Sequence, residues 1–236
     1  REPQAAEITQ PNFRSGSYPA IRSLSRCEQE RRMTFDLDRF LMMREKYGRH
    51  GSWAVWADPS PDGKKSSGIP DLSIFEPRPG HPILSRLHCN YVLVGLNFSR
   101  PVTETSAPFA NFHSGYARSR DFQLRKALQG TPVWGAWMTD VIKDHPEPKA
   151  TKVMQDVRRG RIDVREQINK LKEELRDLGA TAPVLVALGR STDRILRQYL
   201  SKEGYQVVSV THYSAPVRTA DLRNQIIRLV EEFPIG

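Results

Sequence analysis

From residue 90 onward the sequence switches repeatedly between two periodicities, and this alternation restricts the fold more than any other feature. Apolar runs of strand length occur at 91–96, 133–138, 183–188 and 206–210. Between and after them lie segments with the 3.6-residue spacing of an amphipathic helix, at 121–128, 162–178, beyond Ser191, and at 219–232. In the second of these, Val164, Ile168, Leu171, Leu175 and Leu178 share one face, and Gly179 is a stop signal. Gly189-Arg190-Ser191 leads into the third, with Ser191 as its expected N-cap. Strands separated by helices pair in parallel, and the crossover helices cover both faces of the sheet. The expected class is α/β, a three-layer α/β/α fold around a mainly parallel central sheet.

The first third of the chain is less regular. Residues 34–47 read as a helix with Phe35, Leu37, Phe40, Leu41 and Met43 on a broad apolar face. Trp53 and Trp56 are expected near a substrate-side loop. Residues 58–82 are dense in Pro, Gly and Ser and read as a long loop with Lys64 and Lys65 at its tip. Residues 1–32 are polar and rich in Arg, Ser, Pro and Gln, which predicts a flexible basic arm, either an upstream extension or a tether for DNA. The expected organisation is therefore that arm followed by one domain over 33–236.

Charge narrows the partners. The chain of 236 residues carries a formal net charge of +9, and a basic surface of this kind attracts polyanions, nucleic acid first among them. Two cysteines, Cys27 and Cys89, are too few for a disulfide framework and are not spaced as a metal clip. A reducing compartment is expected. No apolar run approaches the ~20 residues that span a bilayer, and the first residues lack a signal-peptide core, so no membrane partner is expected. A Walker-type lysine and a Gly-x-Gly-x-x-Gly turn are both missing, which argues against phosphate-loop chemistry.

Two of the apolar runs stop abruptly at residues capable of chemistry. One ends Gly95-Leu96-Asn97-Phe98-Ser99, and the other continues into His212-Tyr213-Ser214-Ala215-Pro216-Val217-Arg218. In open α/β sheets the carboxyl ends of the strands form the ligand crevice, so Asn97 and His212 could face one substrate. With Pro108-Phe109-Ala110 and Met138-Thr139-Asp140-Val141-Ile142-Lys143, these pieces occur in an order that resembles the uracil-DNA glycosylase superfamily, in its mismatch-specific and single-strand-selective branches. The likeness runs from Tyr91 to the C-terminus, and Leu188-Gly189-Arg190-Ser191 fits a strand-to-helix turn seen there. Phe98 and Tyr213 stand where the family carries proline, and the four-cysteine cluster of some branches is missing.

The resemblance implies a monofunctional enzyme, acting as a monomer on single- or double-stranded DNA without metal or organic cofactor, in the cytoplasm at the bacterial nucleoid. Such an enzyme swings a nucleotide out of the stack and hydrolyses its base–sugar bond. Asn97 would position the water, and His212 would donate to the pyrimidine O2 as charge develops there. Phe109 would stack on the base, with Phe112 as the substitute. His113 would be a second acid or a sugar contact. Ser99, Lys143, Ser191 and Ser214 would hold DNA, and Arg218 would either fill the gap in the duplex or grip a phosphate.

Asp140 departs from the pattern in a way that bears on the substrate. The relatives carry an asparagine there, whose amide complements uracil N3–H and O4. An ionised aspartate offers acceptors only and suits the exocyclic amine of cytosine. Ordinary cytosine must be spared, so the expected target is a modified one, such as the glucosylated hydroxymethylcytosine of phage DNA, with the 98–118 loop and the Trp53/Trp56 region reading the modification. The alternatives are a uracil-DNA glycosylase of base-excision repair and a non-catalytic module that binds DNA or a modified base.

Overall fold

The computed structural model describes residues 35–57, 71–76, 82–99, 107–114 and 120–235, within a compact unit that spans Met33–Gly236. The expected arm over 1–32, Lys64 and Lys65, and parts of the 58–82 and 98–118 loops lie outside the described residues. Six helices and five strands follow in the order α1 (Leu37–Tyr47), β1 (Ser52–Trp53), β2 (His88–Asn97), α2 (Asp121–Leu128), β3 (Ala136–Ile142), α3 (Ala150–Arg158), α4 (Val164–Asp177), β4 (Val184–Leu188), α5 (Arg190–Leu200), β5 (Gln206–Val210) and α6 (Thr219–Glu232).

The sheet order is β1-β3-β2-β4-β5. All pairings are parallel except that of β1, which runs antiparallel to β3 along the edge. Side chains alternate across it as the strand period requires. Val92 and Val94 on β2, Trp137 and Val141 on β3, and Leu185 and Ala187 on β4 pack against Phe40, Met43, Ile168, Leu171, Ile195 and Leu196 from α1, α4 and α5. Tyr91 and Leu93, Met138, Val186 and Val210 pack on the other face against Leu124 and Leu128 of α2 and Leu222, Ile226 and Leu229 of α6. The result is a helix–sheet–helix arrangement with a mainly parallel centre, as the alternating periodicity predicts.

Three local expectations are corrected. Trp53 is fully buried and packs against Phe35 and Trp137, so it lines no substrate loop. Ser191 is not an N-cap: α5 begins at Arg190, and Gly189 caps it without a side-chain bond. Gly189 has φ +92°, and a Cβ there would stand 3.2 Å from the Cβ of His212. Glycine therefore satisfies both the turn and the close approach of the next strand's end. Third, the apolar run at 133–138 contains a turn, and the strand proper starts at Ala136 and continues to Ile142.

Candidate functional site

Strand register places the two chemistry-bearing ends at one height. Val94 pairs with Ala187, Ala187 pairs with Ser209, and Gly95 pairs with Asp140. Three residues beyond Val94 is Asn97, and three beyond Ser209 is His212. Only β4 separates β2 from β5. The two residues are thus level at the carboxyl edge, two strand spacings or about 10 Å apart. Their parity is that of Leu93 and Val210, so they lie on the α2/α6 side with Asp140.

Asn97 is held from one end. Its Nδ2 donates to the carbonyls of Phe98 (3.0 Å), His145 (2.9 Å) and Glu147 (2.9 Å). A flipped amide would press Oδ1 against three carbonyl oxygens, so the orientation is fixed by repulsion as well as by bonding. Oδ1 is left as the atom for any further partner. His50 stacks on Phe98 next door at 5.7 Å, and burial lowers its pKa.

His212 is held from its other nitrogen. The Ser214 backbone N–H donates to Nδ1 at 3.1 Å, and the Ser214 hydroxyl lies 2.7 Å from the same atom. A backbone N–H can only donate, so Nδ1 is an acceptor and the ring proton sits on Nε2. Burial lowers the pKa of His212 and favours this neutral form. Tyr213 stacks on the imidazole at 4.5 Å, and its hydroxyl bonds to Asp121. Asp121 Oδ2 also accepts from the Ser114 amide at 2.7 Å, and Arg120 Nη1 donates to the Ala215 carbonyl at 2.6 Å. The start of α2 is therefore fastened to both the 111–114 and the 212–216 loops.

Asp140 lies between these ends. Its Oδ2 accepts from Asn111 Nδ2 at 2.9 Å, and the same nitrogen donates to the His50 carbonyl at 2.7 Å. A Cβ on Gly95 would meet Asp140 Oδ1 at 2.1 Å and Phe112 Cε1 at 3.7 Å. Only glycine leaves room for the carboxyl, and Phe112 forms the wall beside it. Phe112 has φ +66°, a left-handed conformation that is strained for a bulky residue and persists only where its surroundings fix it. Desolvation pushes the Asp140 carboxyl up to about 7, with Glu174 adding to the rise while the Asn111 bond and Lys143 oppose it. The carboxyl is thus divided between its two forms at neutral pH, and is not simply an ionised acceptor.

The structure brings Asn97, Asp140, Phe112, His212 and Ser214 to one region and removes others from it. Phe109 is fully buried among Phe40, Phe75 and Trp137, so Phe112 takes the place expected for the stacking ring. Lys143 is buried on the opposite face of the sheet, where its ammonium bonds Glu174 and Thr139, and it is no phosphate contact. His113 is buried between Trp56 and Phe75 with Nε2 on the Trp53 carbonyl, and desolvation lowers its pKa to about 3. That excludes it as a proton donor at neutral pH. Ser99 is exposed just past β2, and Ser191 is half-buried in the first turn of α5. Arg218 is exposed before α6, with Nε and Nη2 both bonded to Asp221.

Sequence reasoning missed Asn111, Asp121 and the stacking role of Tyr213. None stands at a strand end, and each acts through a partner remote in sequence. Among the described residues no cluster of three or more His, Cys, Asp or Glu side chains could hold a metal ion, and no helix is long and apolar enough to cross a membrane. Two surface depressions lie at the amino edge of the sheet, one against Asn90, Val184, Gln206 and Phe233, the other against Thr181, Pro183 and Tyr205. They gather no groups suited to breaking a bond, and open α/β sheets bind at the carboxyl edge. Comparison with protein-family models found no match, and comparisons with curated proteins and with solved structures found none either.

Proposed function

We propose that this chain is a monofunctional DNA glycosylase of the uracil-DNA glycosylase type. One observation carries the reading: an amide oxygen and an imidazole N–H, each freed by bonds that occupy its opposite end, stand level at one sheet edge about a nucleoside apart. The base–sugar bond breaks with its electron pair going to the base. The Nε2–H of His212 donates to the pyrimidine O2 and stabilises the departing anion. Asn97 Oδ1 accepts from a water that attacks the sugar carbon. The water's second oxygen bond forms there, its proton passes to solvent, and the base takes one up after release. An amide is a poor base, so positioning is its contribution. Ser214 and the 212–216 backbone would flank the adjacent phosphate.

Asp140 names the class of base. Asn111 occupies Oδ2, so Oδ1 is the oxygen left to read the pyrimidine edge. Ionised, it accepts from the exocyclic amine of a cytosine-type base. Protonated, it donates to uracil O4. We place a modified cytosine as the substrate at and above neutral pH, with uracil as the competing base below it.

The test offers duplexes containing uracil, cytosine, hydroxymethylcytosine and glucosylated hydroxymethylcytosine, and counts abasic sites. Release of a modified cytosine is expected to rise between pH 6 and 8, and uracil release to fall. Release of uracil alone at every pH would overturn the cytosine reading. DNA binding with no release of any base would favour a binding module. Asp140→Asn is expected to gain uracil activity and lose the pH dependence. It should also raise the melting temperature more at pH 8 than at pH 5. A carboxyl whose folded pKa is raised stabilises the fold below its unfolded pKa near 4, and that stability is lost as pH rises through about 7. A shift of about 3 units corresponds to an upper bound on the order of 4 kcal/mol.

A further inference from the structure

Resting on the glycosylase reading, we propose that Phe122 is the wedge that enters the duplex where the nucleotide leaves, with Lys126 on the neighbouring phosphate. The ring stands at the second position of α2, and α2 starts at the carboxyl edge because it carries the chain from the end of β2 back to the start of β3. Its neighbour Asp121 turns inward to Tyr213 and Ser114, and Arg120 binds the Ala215 carbonyl. Phe122 is thus rigidly coupled to the loop that carries His212, yet faces outward with 50% of its surface exposed.

Single exposed apolar residues are ordinary. This one differs in its place and its company. Lys126, one turn along α2, holds its ammonium 5.8 Å from the ring centroid. One face of the ring is therefore paired with a cation and the other is open. A base stack flanked by phosphates complements both: an aromatic ring stacks on any base, and a lysine neutralises a phosphate. Proteins that distort DNA insert apolar side chains of this kind between base steps. Arg218, the residue that the sequence offers for the same task, is 84% exposed but has its guanidinium engaged by Asp221. Leaving that pair would cost the bonds that Phe122 does not have to break.

A wedge matters only where a stack must be opened, and this separates it from a packing role. Phe122→Ala is expected to lower the rate of base release from duplex DNA about 10–100-fold, the range of one lost base–aromatic stack. Release from single strands of the same sequence should change less than about twofold, and Phe122→Leu should restore most of the duplex rate. Lys126→Gln is expected to reduce the salt slope of duplex binding by about one. A binding readout runs in parallel: duplexes with 2-aminopurine beside the target position should change fluorescence on binding the native protein and not on binding Phe122→Ala. Equal loss on both strand forms, or no loss on either, overturns the wedge. If the native protein releases no base at all, the glycosylase reading fails, while the 2-aminopurine signal still decides whether Phe122 enters the duplex.

Discussion

Replacing His212 with alanine is expected to slow base release roughly 10²–10³-fold in single turnover, with duplex affinity nearly unchanged. The interaction grows only as negative charge develops on the departing base, so it belongs to the transition state and not to binding. Asn97→Ala should lower the same rate by a comparable factor, because the water loses its acceptor. Two features distinguish these roles from mere packing. His212→Gln keeps an N–H donor near the position of Nε2 and should recover part of the lost rate. The pH profile should also report the neutral ring. With the pKa of His212 lowered by burial, the His212-dependent step should stay flat above pH 6.5 and decline only in more acidic solution, where protonation of Nδ1 expels the Ser214 amide. Comparison with Asp140→Asn separates this from the carboxyl's own titration near pH 7. An unchanged single-turnover rate in His212→Ala would remove the imidazole from the mechanism. A rate that climbs toward acid would mean that an imidazolium is the donor.

The architecture was legible because two periods alternate cleanly. Strand runs such as 184–188 and helical stripes such as Ile168-Leu171-Leu175 cannot exchange roles without exposing their apolar faces. Helix α3 was not legible. Its nine residues hold only Val153, Met154 and Val157 as large apolar groups, and Lys149 before it offers no side-chain acceptor to cap it. The strand-end motifs showed themselves as abrupt changes from apolar to polar residues. Which aromatic lines the site did not: Phe109 and Phe112 are three apart in one loop, both left-handed at φ +66°, and only the packing of α1 and Phe75 decides that Phe109 turns into the core. The placement of Lys143 could have been found. Thr139, Val141 and Lys143 share strand parity, opposite to that of Asp140, so a lysine facing the same phosphate as Asp140's base is excluded by alternation. Glu174 gave a matching signal, as a carboxylate inside the apolar stripe of α4 that needed a buried partner.

Glu174→Leu is expected to destabilise the protein by about 3–5 kcal/mol, because it leaves the Lys143 ammonium buried without its counter-charge. Glu174 is wholly buried and accepts from Trp137 Nε1 at 2.7 Å as well as from Lys143. Lys143 also donates to Thr139 Oγ1 at 2.6 Å, and its backbone N–H bonds Gln167 at 2.9 Å. The pair therefore ties β3 to α4 at the point where the chain leaves the sheet for the loop that grips Asn97. In a domain of this size the loss should appear as a fall in melting temperature on the order of 10 °C. Lys143→Met should cost a similar amount, since a carboxylate is then left with one indole donor. The double variant Lys143→Met/Glu174→Leu removes both charges together and should recover most of the loss, because an apolar pair of similar volume needs no desolvation. Urea unfolding of the four proteins closes the cycle, and additive losses would show that the two groups do not stabilise one another. The pair also reaches the site through its field. Glu174 raises the Asp140 carboxyl and Lys143 lowers it. Glu174→Gln should therefore move the pH at which the preferred base changes toward acid, and Lys143→Met should move it toward alkali. Opposite shifts from two residues on the far face of the sheet would identify Asp140 as the titrating group, since no other element of the site responds to both.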